Sequence, residues 1–172
     1  MKISKLLLIA LVTILFACKE DDDEPKITGQ QLVGSWEVTA INYEGTSTTV
    51  TQGVEMEMNF TGRGKDMDLL VTFNEGPATY KSEGDYTIEL TYSLQGQSFE
   101  LDTYFEGFLA DGTWLQDGKT LIVNGPGGIQ KATIIELTST TLKMEYDFTH
   151  SLSQQGSTSV MDIHGTYTFK KK

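Results

Sequence analysis

The residue pair with the clearest potential for acid–base or metal chemistry is Asp162 and His164. The two lie two positions apart where apolar and polar residues alternate, so a β-strand would place both side chains on one face. A histidine beside a carboxylate can act as a general base or supply two metal ligands. Met161 and Ile163 occupy the other face of this strand, and the only other histidine is His150. We therefore expect Asp162 and His164 to face water, and we predict no metal and no cofactor.

Carboxylates are numerous, but their spacing does not mark a catalytic set. Several alternate with apolar residues, which favours a solvated outer face of a sheet: Glu55, Glu57, Glu89, Glu100 and Asp102. Paired carboxylates can cleave a glycosidic bond, so a hydrolase stays an alternative. The chain has no G-x-S-x-G motif, and its glycine-rich stretch 125–128 lacks the lysine and helix of a phosphate-binding loop. We predict that the protein is not an enzyme.

The single cysteine, Cys18, ends an N-terminal apolar run. Lys2 and Lys5 precede residues 6–16, which are apolar except for one threonine. This layout is typical of a bacterial secretory signal and is shorter than the roughly 20 apolar residues of a membrane-spanning helix. A retained anchor helix is the alternative. An exported chain with one cysteine cannot form an internal disulfide, so this thiol needs another role.

Residues 15–18, Leu-Phe-Ala-Cys, resemble the lipobox of bacterial lipoproteins. The resemblance implies that a signal peptide, residues 1–17, is removed and that acyl chains such as palmitate are attached to Cys18. Two or more such chains anchor a protein stably to a membrane. The alternative is an ordinary signal peptide with an incidental cysteine.

A run of charged residues follows the cysteine: Lys19, Glu20, Asp21, Asp22, Asp23 and Glu24. Like charges without apolar residues predict a solvated, disordered tether over 18–26. The run lacks the spaced ligands of an EF-hand calcium loop. A lysine and acids directly after a lipidated cysteine resemble the export signal of Bacteroidetes-type surface lipoproteins. That resemblance implies an outer-membrane lipoprotein that faces the cell exterior, with a periplasm-facing lipoprotein as the alternative.

The negative net charge of the chain limits the kinds of molecule that it can bind. The chain has a net charge of −11, and removal of residues 1–17 takes away two lysines, which leaves 11 basic against 24 acidic residues and a net charge of −13. Nucleic acid is excluded as a partner because binding it needs a basic face. The remaining length predicts one domain, residues 27–172.

The body of the chain alternates with period two. Residues 54–60 and 85–94 alternate apolar with polar side chains, which is typical of strands with one buried face. We predict a helical turn at 27–33, a turn at Gly62-Arg63-Gly64 and a long hairpin loop at 149–159. Short turns between strands predict an all-β fold, an antiparallel meander closed into a β-barrel of about 8–10 strands. The predicted strands are 36–43, 53–60, 67–73, 85–94, 98–105, 112–115, 119–124, 131–137, 141–148 and 158–170.

The segment Gly34-Ser35-Trp36 follows the helical turn and opens the first strand. It resembles the G-x-W opening of lipocalins, and residues 111–146 resemble the later strands of bacterial lipocalin-like lipoprotein domains. The resemblance implies that Gly34 and Trp36 close one end of the barrel. Lipocalins usually set an arginine of a late strand against this tryptophan. The only arginine here is the early Arg63, so Lys170 is the candidate for that position.

The lipocalin resemblance implies a non-catalytic protein that binds a small hydrophobic ligand inside its barrel. The predicted cavity would be lined by residues of the inner face: Met56, Met58, Ile88, Leu90, Phe99 and Trp114. The alternative is an adhesion or assembly subunit with a filled barrel, which would contact glycan or protein through its loops.

Overall fold

A computed structural model describes residues 29–94, 96–154 and 157–172. The predicted signal peptide, the lipidated cysteine and the acidic tether lie outside the described residues, as does the start of the predicted helical turn. No helix within the described part of the chain has the length and apolarity needed to cross a membrane. The elements are α1 (Gly29–Leu32), β1 (Gly34–Thr51), β2 (Val54–Glu75), β3 (Ala78–Leu94), β4 (Gln97–Glu106), β5 (Gly112–Asp117), β6 (Thr120–Gly125), β7 (Gly128–Leu137), β8 (Thr141–Gln154) and β9 (Ser157–Lys171).

The strands form one antiparallel sheet that closes on itself. Strands β1, β2, β3, β5, β6, β7, β8 and β9 make a ring in which β9 returns to pair with β1. Strand β5 pairs with β3 only at Thr79 and Tyr80. Strand β4 pairs with β3 from Asp85 to Leu94 and lies outside the ring. The predicted antiparallel meander closed into a lipocalin-like barrel is confirmed.

The sheet has two parts because its strands differ in length. Strands β5 and β6 have six residues each, whereas β1 has 18 and β2 has 22. Around the short strands all eight ring members enclose a barrel, which we call the lower barrel. Beyond it the long hairpins continue as an open, six-stranded curved sheet in the order β8-β9-β1-β2-β3-β4, which we call the upper sheet.

The lower barrel is filled by its own side chains. The inner faces of the ring strands bury large apolar residues that have no solvent exposure, among them Trp36, Val71, Leu121, Ile134 and Phe169. Burial of each such side chain stabilises the fold by about 1.5–3 kcal/mol. Packing and strand pairing therefore hold this end together, with no disulfide among the described residues.

The predicted turn at Gly62-Arg63-Gly64 was wrong, because these residues lie inside the continuous strand β2. A Cβ on Gly62 would come within 2.7 Å of a methyl carbon of Ile88 and 2.9 Å of one of Leu90. Glycine is needed here for close packing across the sheet. The predicted loop at 149–159 was also wrong over most of its length, because β8 extends to Gln154 and β9 begins at Ser157.

Candidate functional site

The closed end of the lower barrel is built around Trp36. Its indole nitrogen donates a hydrogen bond of 2.7 Å to the carbonyl of Leu32, the buried last residue of α1. The Lys171 ammonium lies 5.0 Å from the centre of the Trp36 ring and donates a hydrogen bond to the Gln31 carbonyl. Lys171 therefore occupies the position predicted for Lys170, which is exposed. This cation and α1 cover the tryptophan from outside.

Gly34 begins β1 at the same end. Its φ of 126° lies where glycine is favoured, and a Cβ there would come within 2.9 Å of the Lys171 side chain. A glycine at this position lets the chain turn from α1 into β1 beneath the lysine. The structure thus places the G-x-W glycine and tryptophan together at the closed end.

Three tyrosine hydroxyls meet midway along the interior. Tyr43 lies between Trp36 and Ser47 on the inner face of β1, and its hydroxyl is 2.8 Å from that of Tyr86 and 2.6 Å from that of Tyr167. The Tyr86 and Tyr167 hydroxyls are 3.3 Å apart. Burial raises the pKa of all three above that of an ordinary tyrosine, so the hydroxyls are neutral at physiological pH. We call this cluster the tyrosine triad.

The connection from β4 to β5 enters the barrel beside the triad. Phe108 is buried and its ring centre lies 4.2 Å from that of Tyr167. The Phe108 amide donates to the Ser82 hydroxyl, and the Ala110 amide donates to the Gln130 side-chain carbonyl. This loop fills space that an open barrel would leave to a ligand, so a binding site on the inner face of the sheet lies above it.

A cleft of about 440 Å³ opens above the triad, on the concave face of the upper sheet. We call it the mouth cleft. We call the apolar part of its lining the apolar wall, which consists of Met58, Tyr92, Phe99, Leu101 and Leu152. Phe99 stacks on Tyr92 with ring centres 5.0 Å apart. Phe99, Leu101 and Leu152 remain 46%, 50% and 40% exposed, so this wall offers apolar surface that the fold leaves uncovered.

Hydroxyl groups from β1 and β9 form a second part of the lining, the hydroxyl wall, which lies between Leu152 of β8 and Met58 of β2 because Ser159 pairs with Leu152 and Ser47 pairs with Met58. The Ser47 hydroxyl is 2.9 Å from that of Ser159, which also accepts a hydrogen bond from Thr49. Ser157 lines the same wall. None of the described residues that line the cleft carries a charge at neutral pH. The mouth cleft is therefore neutral, with a hydroxyl-rich strip on β1 and β9 that apolar side chains flank on both sides.

The predicted cavity residues are spread along the whole interior. Met58 and Phe99 line the mouth cleft, and Met56 lies on the same face of β2 nearer the rim, 47% exposed. Ile88 and Leu90 are fully buried in the core. Trp114 lies at the closed end, where its indole nitrogen donates to the Asn74 carbonyl.

Sequence reasoning missed the whole hydroxyl wall and three residues of the apolar wall, namely Ser47, Thr49, Ser157, Ser159, Tyr92, Leu101 and Leu152. Leu101 shares a strand face with Phe99, and this alternation was a usable signal. Residues 149–159 were interpreted as a loop, so none of their side chains was predicted to face the interior of the sheet.

His164 lies on the outer face of β9, as its alternation predicts. Its ring nitrogen Nδ1 is 2.6 Å from a carboxylate oxygen of Asp147, and Nε2 is 3.9 Å from one of Glu145. The hydrogen bond to Asp147, aided by the nearby carboxylates, raises the pKa of His164. Asp162 shares this face but accepts a hydrogen bond from Thr149. Among the described residues no three such side chains are placed to hold a metal ion.

A shallow depression of about 740 Å³ lies beside His164 on the outside of the sheet. It is bordered by Glu44, Asp147 and Asp162, and Gly45 lies on its floor. A Cβ on Gly45 would lie within 2.0 Å of the Asp162 carbonyl oxygen, so the depression forms where two strands approach closely.

Comparison with known proteins agrees with the architecture. A family model described as a lipocalin-like domain matches residues 32–144, about two thirds of the chain. The match begins at the buried Leu32, includes the G-x-W segment and reaches into β8. No curated protein and no solved structure shows a significant match. With the tryptophan-closed, eight-stranded ring, this match establishes that the chain belongs to the lipocalin-like domain family.

Proposed function

We propose that the protein binds a small, neutral amphiphile in the mouth cleft without transforming it. The observation that carries this proposal is the uncharged lining of the cleft above the tyrosine triad, in which hydroxyl groups lie next to apolar side chains. Its volume lies within the range of about 300–1,000 Å³ that is usual for small-molecule sites. The lining suits a mainly apolar molecule with hydroxyl or carbonyl groups that can contact the hydroxyl-rich strip of β1 and β9.

The absence of charge among the lining residues argues against an ionised ligand. A buried carboxylate or ammonium group without a partner loses several kcal/mol of hydration free energy, and hydrogen bonds from the hydroxyl wall offset only part of that loss. An apolar face gains about 25 cal/mol for each Å² that it buries. A neutral ligand therefore gains from both walls at no electrostatic cost.

The lining also supports a non-catalytic role. Its one ionisable side chain is Tyr92, whose pKa is raised by burial. A neutral phenol donates a hydrogen bond but is a poor general base at neutral pH. Binding and release are the activities that this set of side chains can perform.

We propose further that Cys18 is lipidated and that Lys19 to Glu24 direct the protein to the outer face of the outer membrane. The sequence carries this part, through the lipobox-like Leu-Phe-Ala-Cys and the acids after it. Gly29, the first of the described residues, lies at the closed end beside Trp114. Such an anchor would join the domain at the end opposite the mouth cleft.

Ligand binding is tested with the neutral fluorescent probe N-phenyl-1-naphthylamine and by native mass spectrometry of protein isolated from its host. Leu152→Glu places a charge in the apolar wall and is expected to weaken probe binding at least tenfold. Leu115→Glu is the matched control, because Leu115 is 61% exposed on β5 at the closed end. Equal probe affinity of Leu152→Glu and the unmodified protein would refute the mouth cleft as the site.

The anchor is tested separately in cells. Cys18→Ala is expected to release the protein from the membrane fraction. Replacement of the acids at 20–24 by their amides is expected to abolish surface labelling while membrane attachment persists. Membrane retention of Cys18→Ala would contradict lipidation, and undiminished surface labelling of the amide variant would contradict the export role.

A further inference from the structure

The upper sheet has a free edge at β4. This strand pairs with β3 along one side from Gln97 to Glu106, and its other side has no strand neighbour among the described residues. Unpaired N–H and C=O groups along a strand edge are a template for a strand of another chain. Ten residues of edge are enough for such pairing.

A second free edge faces the first across the mouth cleft. Strand β8 pairs with β7 only as far as Glu145, so its later residues pair with β9 alone. The two edges converge where the rings of Phe105 and His150 lie 5.2 Å apart. Towards the rim, Leu101 of β4 and Leu152 of β8 line the same cleft. A slot therefore lies between the edges, with its base at Phe105.

Side chains of β4 differ sharply between its two faces. Phe99 and Leu101 point into the mouth cleft and are about half exposed. Glu100, Asp102 and Glu106 alternate with them and lie on the outer face. Lys65 pairs with Asp102 at 2.6 Å, whereas Glu100 has no ion-pair partner in the described part of the chain.

We propose that an extended segment of a partner protein adds to the free edge of β4 as a further strand, with apolar side chains in the mouth cleft and basic side chains beside Glu100. Main-chain hydrogen bonds would supply affinity, and alternate side chains would supply specificity. The partner segment alternates apolar with lysine or arginine residues. This inference shares the mouth cleft with the proposed function, and the test separates the two.

The negative charge on the outer face of β4 favours a basic partner segment over a second copy of this chain and over the chain's own acidic tether. Two β4 edges paired together would bring the carboxylates of Glu100 and Asp102 close to those of the other copy, and like charges on paired strands are destabilising. The tether is acidic at 20–24 and would meet the same repulsion. A basic segment has the opposite sign to the acidic outer face.

The probes are three fluorescein-labelled, seven-residue peptides, used at low salt in fluorescence anisotropy. The first alternates lysine with leucine or valine, the second replaces each lysine by glutamate, and the third is the basic peptide with N-methyl groups on alternate residues. We expect the basic peptide to bind at least tenfold more tightly than the acidic one. Methylation should weaken binding at least tenfold, because it removes N–H donors along the edge-pairing side.

The matched variants are Glu100→Lys and Glu75→Lys, which make the same charge change at the edge and at the closed end. Glu100→Lys should lower the ratio of basic to acidic peptide affinity at least fivefold, and Glu75→Lys should leave it unchanged. Hydrogen exchange should show new protection in residues 97–105 when the basic peptide is bound.

Equal affinity for all three peptides, or no new protection in β4, would overturn strand docking. Dimerisation of the free protein in sedimentation, with hydrogen-exchange protection of residues 97–105 in the dimer, would overturn it in favour of a second copy. If N-phenyl-1-naphthylamine binds and the basic peptide does not, strand docking fails and the proposed ligand site stands. If the peptide binds and the naphthylamine does not, the ligand proposal fails alone.

Discussion

The tyrosine triad makes a quantitative prediction about stability. The Tyr43 hydroxyl contacts both partners, at 2.8 Å and 2.6 Å, whereas the Tyr86 and Tyr167 hydroxyls contact each other at 3.3 Å. Tyr43→Phe removes the two shorter hydrogen bonds and leaves the longest. At about 1 kcal/mol net for each bond, the free energy of unfolding should fall by about 2 kcal/mol. For a domain of this size the melting temperature should fall by roughly 4–8 °C.

The measurement is urea unfolding followed by the emission of Trp36 and Trp114, which lie in the structured lower barrel. The midpoint should fall while the slope against urea stays constant, because the surface exposed on unfolding hardly changes. Tyr104→Phe is the control, since Tyr104 is 55% exposed and its loss should cost no more than about 0.5 kcal/mol. A Tyr43→Phe protein as stable as the control would refute the triad as a source of stability.

Three further predictions concern charged and ionisable groups. Lys171→Ala should cost about 1 kcal/mol of unfolding free energy, because it removes the contact with the Trp36 ring. Lys170→Ala should cost less than about 0.5 kcal/mol. Equal losses of the two variants in thermal unfolding would contradict the conclusion that Lys171 covers Trp36. The pKa of His164, followed by NMR, should lie above its ordinary value and fall towards it in Asp147→Asn. Because this pKa is raised in the fold, its contribution to stability is complete below about pH 6.5 and is lost as pH rises through the folded value; no change in Asp147→Asn would show that another group raises it. The buried triad hydroxyls also have raised pKa values, so stability should decline above about pH 10, and ordinary titration of all tyrosines in the folded protein would contradict their burial.

The alternation of apolar and polar residues was enough to predict the sheet and its inner faces. Residues 54–60 and 85–94 form strands in the structure, and G-x-W lies at the closed end. The sequence did not predict that β2 continues through Gly62 and Gly64. A single sequence does not distinguish a glycine required by a turn from a glycine required by close packing. Here the structure decides, because Ile88 packs directly against Gly62.

The location of the candidate site was harder to predict for a similar reason. The pattern assigns Met58, Leu90 and Trp114 to one inner surface, but it does not assign them a height along the barrel. That height depends on the strand register and on Phe108, which fills part of the barrel interior. Phe108 lies in the connection between β4 and β5, where no alternation of apolar and polar residues marks it as buried. The Ser and Thr residues of β9 form a wall only because their hydroxyls bond to those of β1 across the pair.

The division between a filled lower barrel and an open upper sheet has a consequence for how this protein can change over time. Most side chains without solvent exposure lie in or near the lower barrel, whereas exposed apolar residues such as Val54 and Leu152 lie on the hairpins above. A substitution at the rim therefore removes little buried surface and leaves the stability of the domain almost intact. The mouth can acquire a new specificity by a few rim substitutions, while one conserved scaffold carries them.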